Sequence, residues 1–203
     1  MVCQRLQGRM LCLLSWKPTM KKNLLLITVL FLFPFASKAD SPTFDYFEGG
    51  YANWDDSIGG IEVRMNYRIF TDFYISGYHA AFLEKDFDND ITTLGLGYIF
   101  DLPSNSSFFA EANYAIFHVD GGFDHEGFEL ASGFRRMLSK QFEAKVAIEH
   151  FELFDDNTPG DSLELTSLVL GAAYIATDSI TVYADYKFEK EVNRFSLGAR
   201  FDF

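Results

Sequence analysis

Cysteine is almost absent from this chain. Both cysteines, Cys3 and Cys12, lie near the N-terminus, and residues 13–203 contain none. A disulfide framework, a thiol nucleophile and a cysteine-ligated zinc site are therefore excluded for the rest of the chain.

Basic residues are scarce after the first 39 positions. That N-terminal stretch holds six Lys or Arg residues and no acid, whereas the whole chain has a net charge of −12, so residues 40–203 carry −18. A chain of this charge repels the phosphates of nucleic acids, and we exclude a nucleic-acid partner.

The chain also lacks an apolar run long enough for a transmembrane helix. Its longest run, Leu24–Phe35, has 12 residues, whereas a spanning helix needs about 20. Lys21 and Lys22 precede the run, and Ser37-Lys38-Ala39 follows it, which is the pattern of a secretory signal peptide. We predict a leader over residues 1–39, with the true start at Met20 and cleavage before Asp40, and one domain over residues 40–203.

From Phe44 onward, apolar and polar residues alternate with a period of two, which indicates β-strands. Ile61, Val63 and Met65, for example, alternate with Glu62 and Arg64. Short clusters of Gly, Asp, Asn, Ser and Pro separate the segments. The pattern predicts an all-β chain with ten strands: 43–54, 58–69, 73–83, 91–102, 107–118, 127–137, 141–153, 162–175, 180–190 and 193–203.

Two features favour a membrane barrel over a soluble β-sandwich. The segments are all longer than 10 residues, which is enough for the roughly 9–11 residues that a tilted transmembrane strand needs. Their apolar faces end in Tyr or Phe, as in the aromatic girdles of such barrels. We predict a closed antiparallel up-and-down transmembrane β-barrel of ten strands, with eight strands as the alternative.

The connectors between strands fall into two sets. One set is short, whereas the other, which we assign to the outside, carries a charge of −14 when its flanking residues are included. The outer connectors are Asp55–Ser57, Glu84–Asp90, Asp120–Glu126, Phe154–Asp161 and Glu189–Asn193. Asp86, Asp88 and Asp90 are weak candidates for a divalent-cation site, because the EF-hand pattern fails at Ile91 and Gly97.

In a closed barrel, the alternation sends the polar residues into the lumen. The predicted lumen charges are nearly balanced, which favours ion pairs that fill the bore over a one-sign selectivity ring. The acids are Glu62, Glu111, Glu129, Glu143, Glu149, Asp185 and Asp202, and the bases are Arg64, Arg68, Arg135, Lys145, Lys187 and Arg200. A mostly plugged lumen is the preferred interpretation, and a narrow pore for small solutes is the alternative.

Evidence for catalysis is weak. His118 lies near Asp120, and His125 lies between Asp124 and Glu126, but the sequence offers no nucleophile positioned beside them. An outer-membrane hydrolase is therefore the lowest-ranked alternative, and we predict a non-enzymatic protein without a cofactor.

Two segments carry a resemblance to a known family. The first strand reads Tyr46-Phe47-Glu48-Gly49-Gly50-Tyr51, and the last strand ends in Phe203. With the leader, they resemble the small outer-membrane β-barrel proteins of Gram-negative bacteria, of the OmpA and OmpX type. Residues that match the C-terminal signal of such proteins are Phe195, Leu197, Ala199, Phe201 and Phe203.

The resemblance implies a location in the cell outer membrane. It also implies contact with outer-membrane lipids and lipopolysaccharide, and recognition of the last strand by the barrel insertion machinery. We expect a monomeric structural or surface scaffold that presents acidic loops.

Overall fold

The computed structural model describes residues 2–6, 9–13, 41–54, 58–84, 87–103, 105–119, 123–155, 162–190 and 193–203. It divides the chain into two units, residues 1–35 and 36–203. In the first unit, β1 (Val2–Leu6) and β2 (Arg9–Leu13) form an antiparallel pair. The predicted signal-peptide segment, residues 20–39, lies outside the described residues, so its cleavage stays a prediction.

The second unit is a closed barrel of ten antiparallel strands, which confirms the predicted fold and strand number. Neighbours in sequence are neighbours in the sheet, and the last strand pairs with the first. The strands are β3 (Tyr46–Trp54), β4 (Ile58–Arg68), β5 (Phe73–Glu84), β6 (Phe87–Leu102), β7 (Ser106–Val119), β8 (Phe123–Met137), β9 (Phe142–Asp155), β10 (Ser162–Thr177), β11 (Ile180–Phe188) and β12 (Arg194–Asp202). No helix among the described residues is long and apolar enough to cross a membrane.

The two ends of the barrel differ in their connections. At the turn end, short segments join the strands: 69–72, 103–105, 138–141 and 178–179. One of them places Asn105 at φ 59°, a left-handed conformation that Asn tolerates. Segment 41–45 and Phe203 also lie at the turn end. The loop end is the opposite end, where β3, β5, β7, β9 and β11 end and the strands that follow them begin.

Strands β6, β8 and β9 extend further toward the loop end than the sequence predicted. Residues 87–90, 123–126 and 154–155 were assigned to outer connectors, but they lie in strands. Their Asp and Asn residues suggested loops, yet the antiparallel ladder continues through them, with Phe87 opposite Glu84 and Asp124 opposite His118. Backbone pairing with a neighbouring strand outweighed the local turn preference.

The first barrel strand begins later than predicted. Residues 43–45 are not part of β3, and the Phe44 side chain is 2% exposed. The backbone carbonyl of Asp45 accepts a hydrogen bond from the backbone N–H of Phe203, at 3.2 Å. The carboxylate of Asp45 accepts one from the backbone N–H of Arg68, at 2.7 Å. Next to this anchored residue, the Phe44 ring packs against Tyr74 and Phe109.

The outward face of the barrel is an apolar band. Its large side chains are exposed, including Ile61 at 60% and Leu94 at 62%. At the turn end, aromatic rings from neighbouring strands contact one another, as in the pairs Phe73–Tyr98 and Phe142–Tyr174, with centroids 4.7 and 5.2 Å apart. This distribution suits a surface that faces acyl chains and ends in an aromatic girdle.

Glycine makes room for a large ring inside the barrel at one position in β6. A Cβ atom added to Gly97 would lie 2.1 Å from Cζ of Tyr74, which is fully buried. Only glycine lets that ring lie flat against the wall at this point.

We predict that Gly97→Ala lowers the free energy of unfolding by about 1–3 kcal/mol, because the new methyl group displaces the Tyr74 ring. Gly49→Ala is the matched control, since its Cβ would meet only Phe47, at 3.9 Å. Urea unfolding of both variants in detergent micelles measures the difference. Equal stabilities would contradict this account of the packing.

Candidate functional site

The interior of the barrel holds nearly all buried polar groups of the described strands. Every second residue of a strand points inward, so side chains from all ten strands share the bore, and many of them are charged or aromatic. Three levels can be distinguished, from the turn end to the loop end.

The first level, the mouth cluster, consists of Phe44, Arg135, Glu143 and Arg200. The Glu143 carboxylate accepts hydrogen bonds from Nε of Arg135 at 2.7 Å and from Nη2 of Arg200 at 3.1 Å. Arg135 also donates to the carbonyl of Thr43 at 2.7 Å, and its guanidinium lies 4.6 Å from the Phe44 ring centroid. All three charged side chains are at most 4% exposed, so the cluster closes the bore at the turn end.

The second level contains two further ion pairs in the middle of the bore. Lys145 binds Asp185, and Lys187 binds Glu149. Both pairs join strands that are not adjacent, β9 with β11 in each case. They therefore bridge part of the bore, rather than lying along one ladder.

Several predicted lumen charges have neutral partners instead of ionic ones. Glu62 accepts from the hydroxyls of Tyr78 and Tyr183, at 3.1 and 3.2 Å. Glu111 accepts from the Tyr74 hydroxyl at 2.5 Å, and Glu129 accepts from the Asn113 amide at 2.9 Å. Phenols and amides thus satisfy carboxylates that the balanced charge count assigned to ion pairs.

Two of the predicted lumen bases, Arg64 and Arg68, do not take part in an ion-pair network inside the lumen. The guanidinium of Arg64 lies 5.2 Å from the ring centroid of Tyr78, and none of the described acids forms an ion pair with it. Arg68 pairs with Asp45 at 3.6 Å, at the turn end. Asp202 lies 3.0 Å from Nε of Arg200, next to the mouth cluster.

The third level, the apolar layer, lies toward the loop end. The rings of Trp54 and Phe82 stack with centroids 3.8 Å apart, and Phe82 and Leu153 are each 1% exposed. The other members of this layer are Ile91, Phe117, Phe151 and Leu165.

Little free space remains between these levels. In the middle of the bore, the space open to the centres of water molecules is about 40 Å³, enough for a few waters. A wider vestibule of about 680 Å³ opens at the turn end, lined by Pro42, Lys140, Asp178 and others.

Sequence reasoning missed several inward residues. Tyr74, Tyr78 and Tyr183 were not assigned to the lumen, although they occupy inward positions of their strands. Glu48 and Arg194, which are 8% and 4% exposed, were missed as well. The period of two was a sufficient signal for Arg194, because it shares the inward parity of Ser196 and Arg200.

The weak cation candidates do not form a described site. Asp86 lies outside the described residues, and Asp88 and Asp90 lie in β6. Within the part of the chain that the structure describes, no three or more His, Cys, Asp or Glu side chains are grouped to hold a metal ion.

The candidate catalytic histidines are separated by the barrel wall. His118 lies opposite Asp124 and His125 lies opposite Phe117 in the ladder of β7 and β8, so the two side chains point to opposite faces. The ring of His125 stacks on Phe117, with centroids 6.4 Å apart. One catalytic group cannot include both histidines.

The residues of the resembling C-terminal signal all lie on the outward face of β12. Phe195, Leu197, Phe201 and Phe203 are 43–58% exposed, and Ala199 shares their parity. No described lumen contact depends on these side chains, so they are accessible to lipid or to a protein partner.

Comparisons with known proteins find similarity of structure only. No family model and no curated protein matches the sequence. The β domain of the Bordetella autotransporter BrkA has a TM-score of 0.51 at 11% identity, over 78% of this chain and 98% of that one. KdgM porin has a TM-score of 0.47 at 10% identity, over 78% and 98% of the two chains. OmpT of Vibrio cholerae has a TM-score of 0.42 at 12% identity, over 79% and 62%. The chain therefore has the fold of an outer-membrane barrel.

We predict that Glu143→Gln destabilises the barrel by about 3–5 kcal/mol, because it leaves the buried guanidinium of Arg135 without its anion and leaves Arg200 with Asp202 alone. Glu164→Gln, at an exposed position in β10, is the matched control and should change stability little. Urea unfolding in micelles measures both variants. A Glu143→Gln variant as stable as the control would show that the mouth cluster adds nothing to folding.

Proposed function

We propose that this chain is an integral outer-membrane protein that acts as a structural or surface scaffold with a sealed lumen. The single observation that carries this proposal is the filled middle of the bore, where the cavity offers only about 40 Å³ to the centres of water molecules.

The outward surface supports insertion in a membrane. An exposed apolar band between aromatic side chains would be unfavourable in water, whereas in lipid it removes apolar area from water at about 25 cal/mol per Å². Closure of the sheet satisfies the other requirement of a bilayer, that no backbone edge faces acyl chains.

The two ends of the lumen support a seal. A solute entering at the turn end meets the mouth cluster, where Phe44 and three buried charged groups converge. A solute entering at the loop end meets the Trp54–Phe82 stack. Moving either layer breaks hydrogen bonds or exposes buried rings, so both ends resist opening.

The partners follow from this placement. We propose that the outward band contacts outer-membrane lipids, that the loop end meets lipopolysaccharide, and that the insertion machinery reads the exposed aromatic residues of β12. We also propose that the chain is related to barrels of the OmpA and OmpX type, because its Tyr46–Tyr51 segment resembles their first strand. This segment lies in β3, which pairs with β12 to close the barrel. A monomer suffices for the scaffold, because the closed sheet has no free edge.

Two other functions rank lower. A narrow pore for small solutes would use the vestibule of about 680 Å³ at the turn end as its entrance. A hydrolase is less favoured, because His118 and His125 lie on opposite faces of the wall.

We predict that the folded protein gives no steady unitary current in a planar bilayer. A variant with Phe44, Tyr78, Trp54 and Phe82 all replaced by alanine should conduct, because it removes rings from both ends of the lumen, including the Trp54–Phe82 stack. Protease protection in vesicles verifies that both proteins insert.

Steady single-channel currents from the unmodified protein would contradict the seal and favour the pore. Failure of the folded protein to enter vesicles would contradict the membrane location itself.

A further inference from the structure

Two hydrogen-bond donors meet in the outer part of the lumen without an acceptor. Trp54 in β3 and Arg194 in β12 are opposite each other in the ladder, and the guanidinium carbon lies 5.7 Å from the indole centroid. Nε1 of Trp54 and Nε of Arg194 are both fully buried, and neither has a hydrogen-bond partner among the described residues.

Arg194 also forms no direct ion pair with a described residue. Its side chain is 4% exposed and contacts the faces of Trp54 and Tyr78, whereas the carboxylates of Glu62, Glu149 and Glu189 act on its charge only at longer range. A buried guanidinium without an anion is costly, and a buried indole N–H that donates to nothing adds to that cost. Neither donor can satisfy the other, because both lack an acceptor atom.

The acids nearest to this pair are already engaged. Glu149 binds Lys187, and Glu62 accepts from Tyr78 and Tyr183. Glu189 lines the same cavity, and its carboxylate accepts the Ser167 hydroxyl at 3.0 Å. None of them forms an ion pair with Arg194 in the described structure.

A small cavity lies beside these donors. It is lined by Trp54, Arg194 and Lys187 together with members of the apolar layer, and it offers about 40 Å³ to the centres of water-sized groups. Two cations face one carboxylate in this lining. The space suits a small ion and excludes a bulky or polyanionic ligand.

We propose that this cavity binds a small monovalent anion of the size of a halide, held by Arg194 and by the indole N–H of Trp54. The anion supplies the missing acceptor and neutralises the buried guanidinium. The site belongs to the outer lumen and does not depend on whether the barrel conducts.

Trp54 provides a direct reporter. The chain has two tryptophans, Trp16 and Trp54, so the full chain with Trp16→Phe reports from the cavity alone. Bromide is titrated against gluconate at constant ionic strength, with the protein folded in a nonionic detergent. The expected result is saturable quenching of Trp54 fluorescence that chloride competes away, with half-saturation about tenfold weaker in Arg194→Gln, since one charge-assisted hydrogen bond is lost.

Thermal unfolding separates binding from a purely structural role of Arg194. Chloride should raise the unfolding midpoint above that in gluconate for the parent and for the matched control Arg68→Gln, but not for Arg194→Gln. In gluconate, Arg194→Gln and the parent should differ less in unfolding midpoint than they do in chloride, because the stabilising anion is then absent. Trp54→Phe, which retains a ring to stack on Phe82, should reduce the chloride effect.

Three results would overturn the proposal. Linear bromide quenching that is equal in the parent and in Arg194→Gln would show that water alone fills the cavity. Equal midpoints in chloride and gluconate for the parent would show that no anion is bound. A loss of stability of Arg194→Gln that is equal in chloride and in gluconate would show that Arg194 serves the packing instead.

Discussion

The pairing of β12 with β3 is the constraint on which the rest of this structure depends. Nine residue pairs, from Arg194 opposite Trp54 to Asp202 opposite Tyr46, close the sheet and remove its edges. A bilayer offers no hydrogen-bond partner to a free edge, so a sheet in lipid must close. Once it is closed, the alternation of side chains divides every strand between the lipid and the lumen, and the position of each charged group follows.

Closure also sets a packing problem for the lumen. Ten strands enclose a bore in which unpaired charges would destabilise the fold. Three kinds of interaction fill it: ion pairs, hydrogen bonds from phenols to carboxylates, and stacked rings. Glu143 between Arg135 and Arg200 is an example of the first kind, and Glu62 beneath Tyr183 is an example of the second. At Gly97 the barrel wall carries no side chain, which leaves space for the ring of Tyr74. Arg194 is an exception to this pattern, because it forms no direct ion pair with a described residue and its Nε has no acceptor, which is why it points to a missing anion.

The sequence was sufficient to predict the architecture, because a period of two is a direct consequence of strand geometry. It predicted ten strands and the inward parity of the charged residues. It failed at strand ends, as at Phe87–Asp90, where Asp and Asn suggested a loop but the neighbouring strand supplied backbone partners. It also failed to find partners across the bore. Tyr183 and Glu62 are 121 positions apart, and their contact depends on the curvature and stagger of the whole barrel. No local pattern records those quantities.

The central claim is that side chains of one parity face acyl chains and those of the other face a closed interior. Quenching of tryptophan by lipids brominated on the upper acyl carbons tests it most directly. With Trp16 replaced by Phe, the inward Trp54 is compared with an outward tryptophan created by Phe195→Trp in a Trp54→Phe background. The comparison is matched in height, because Phe195 lies opposite Asn53 in the ladder. The account predicts strong quenching at position 195 and little at Trp54. Equal quenching at both positions would contradict it.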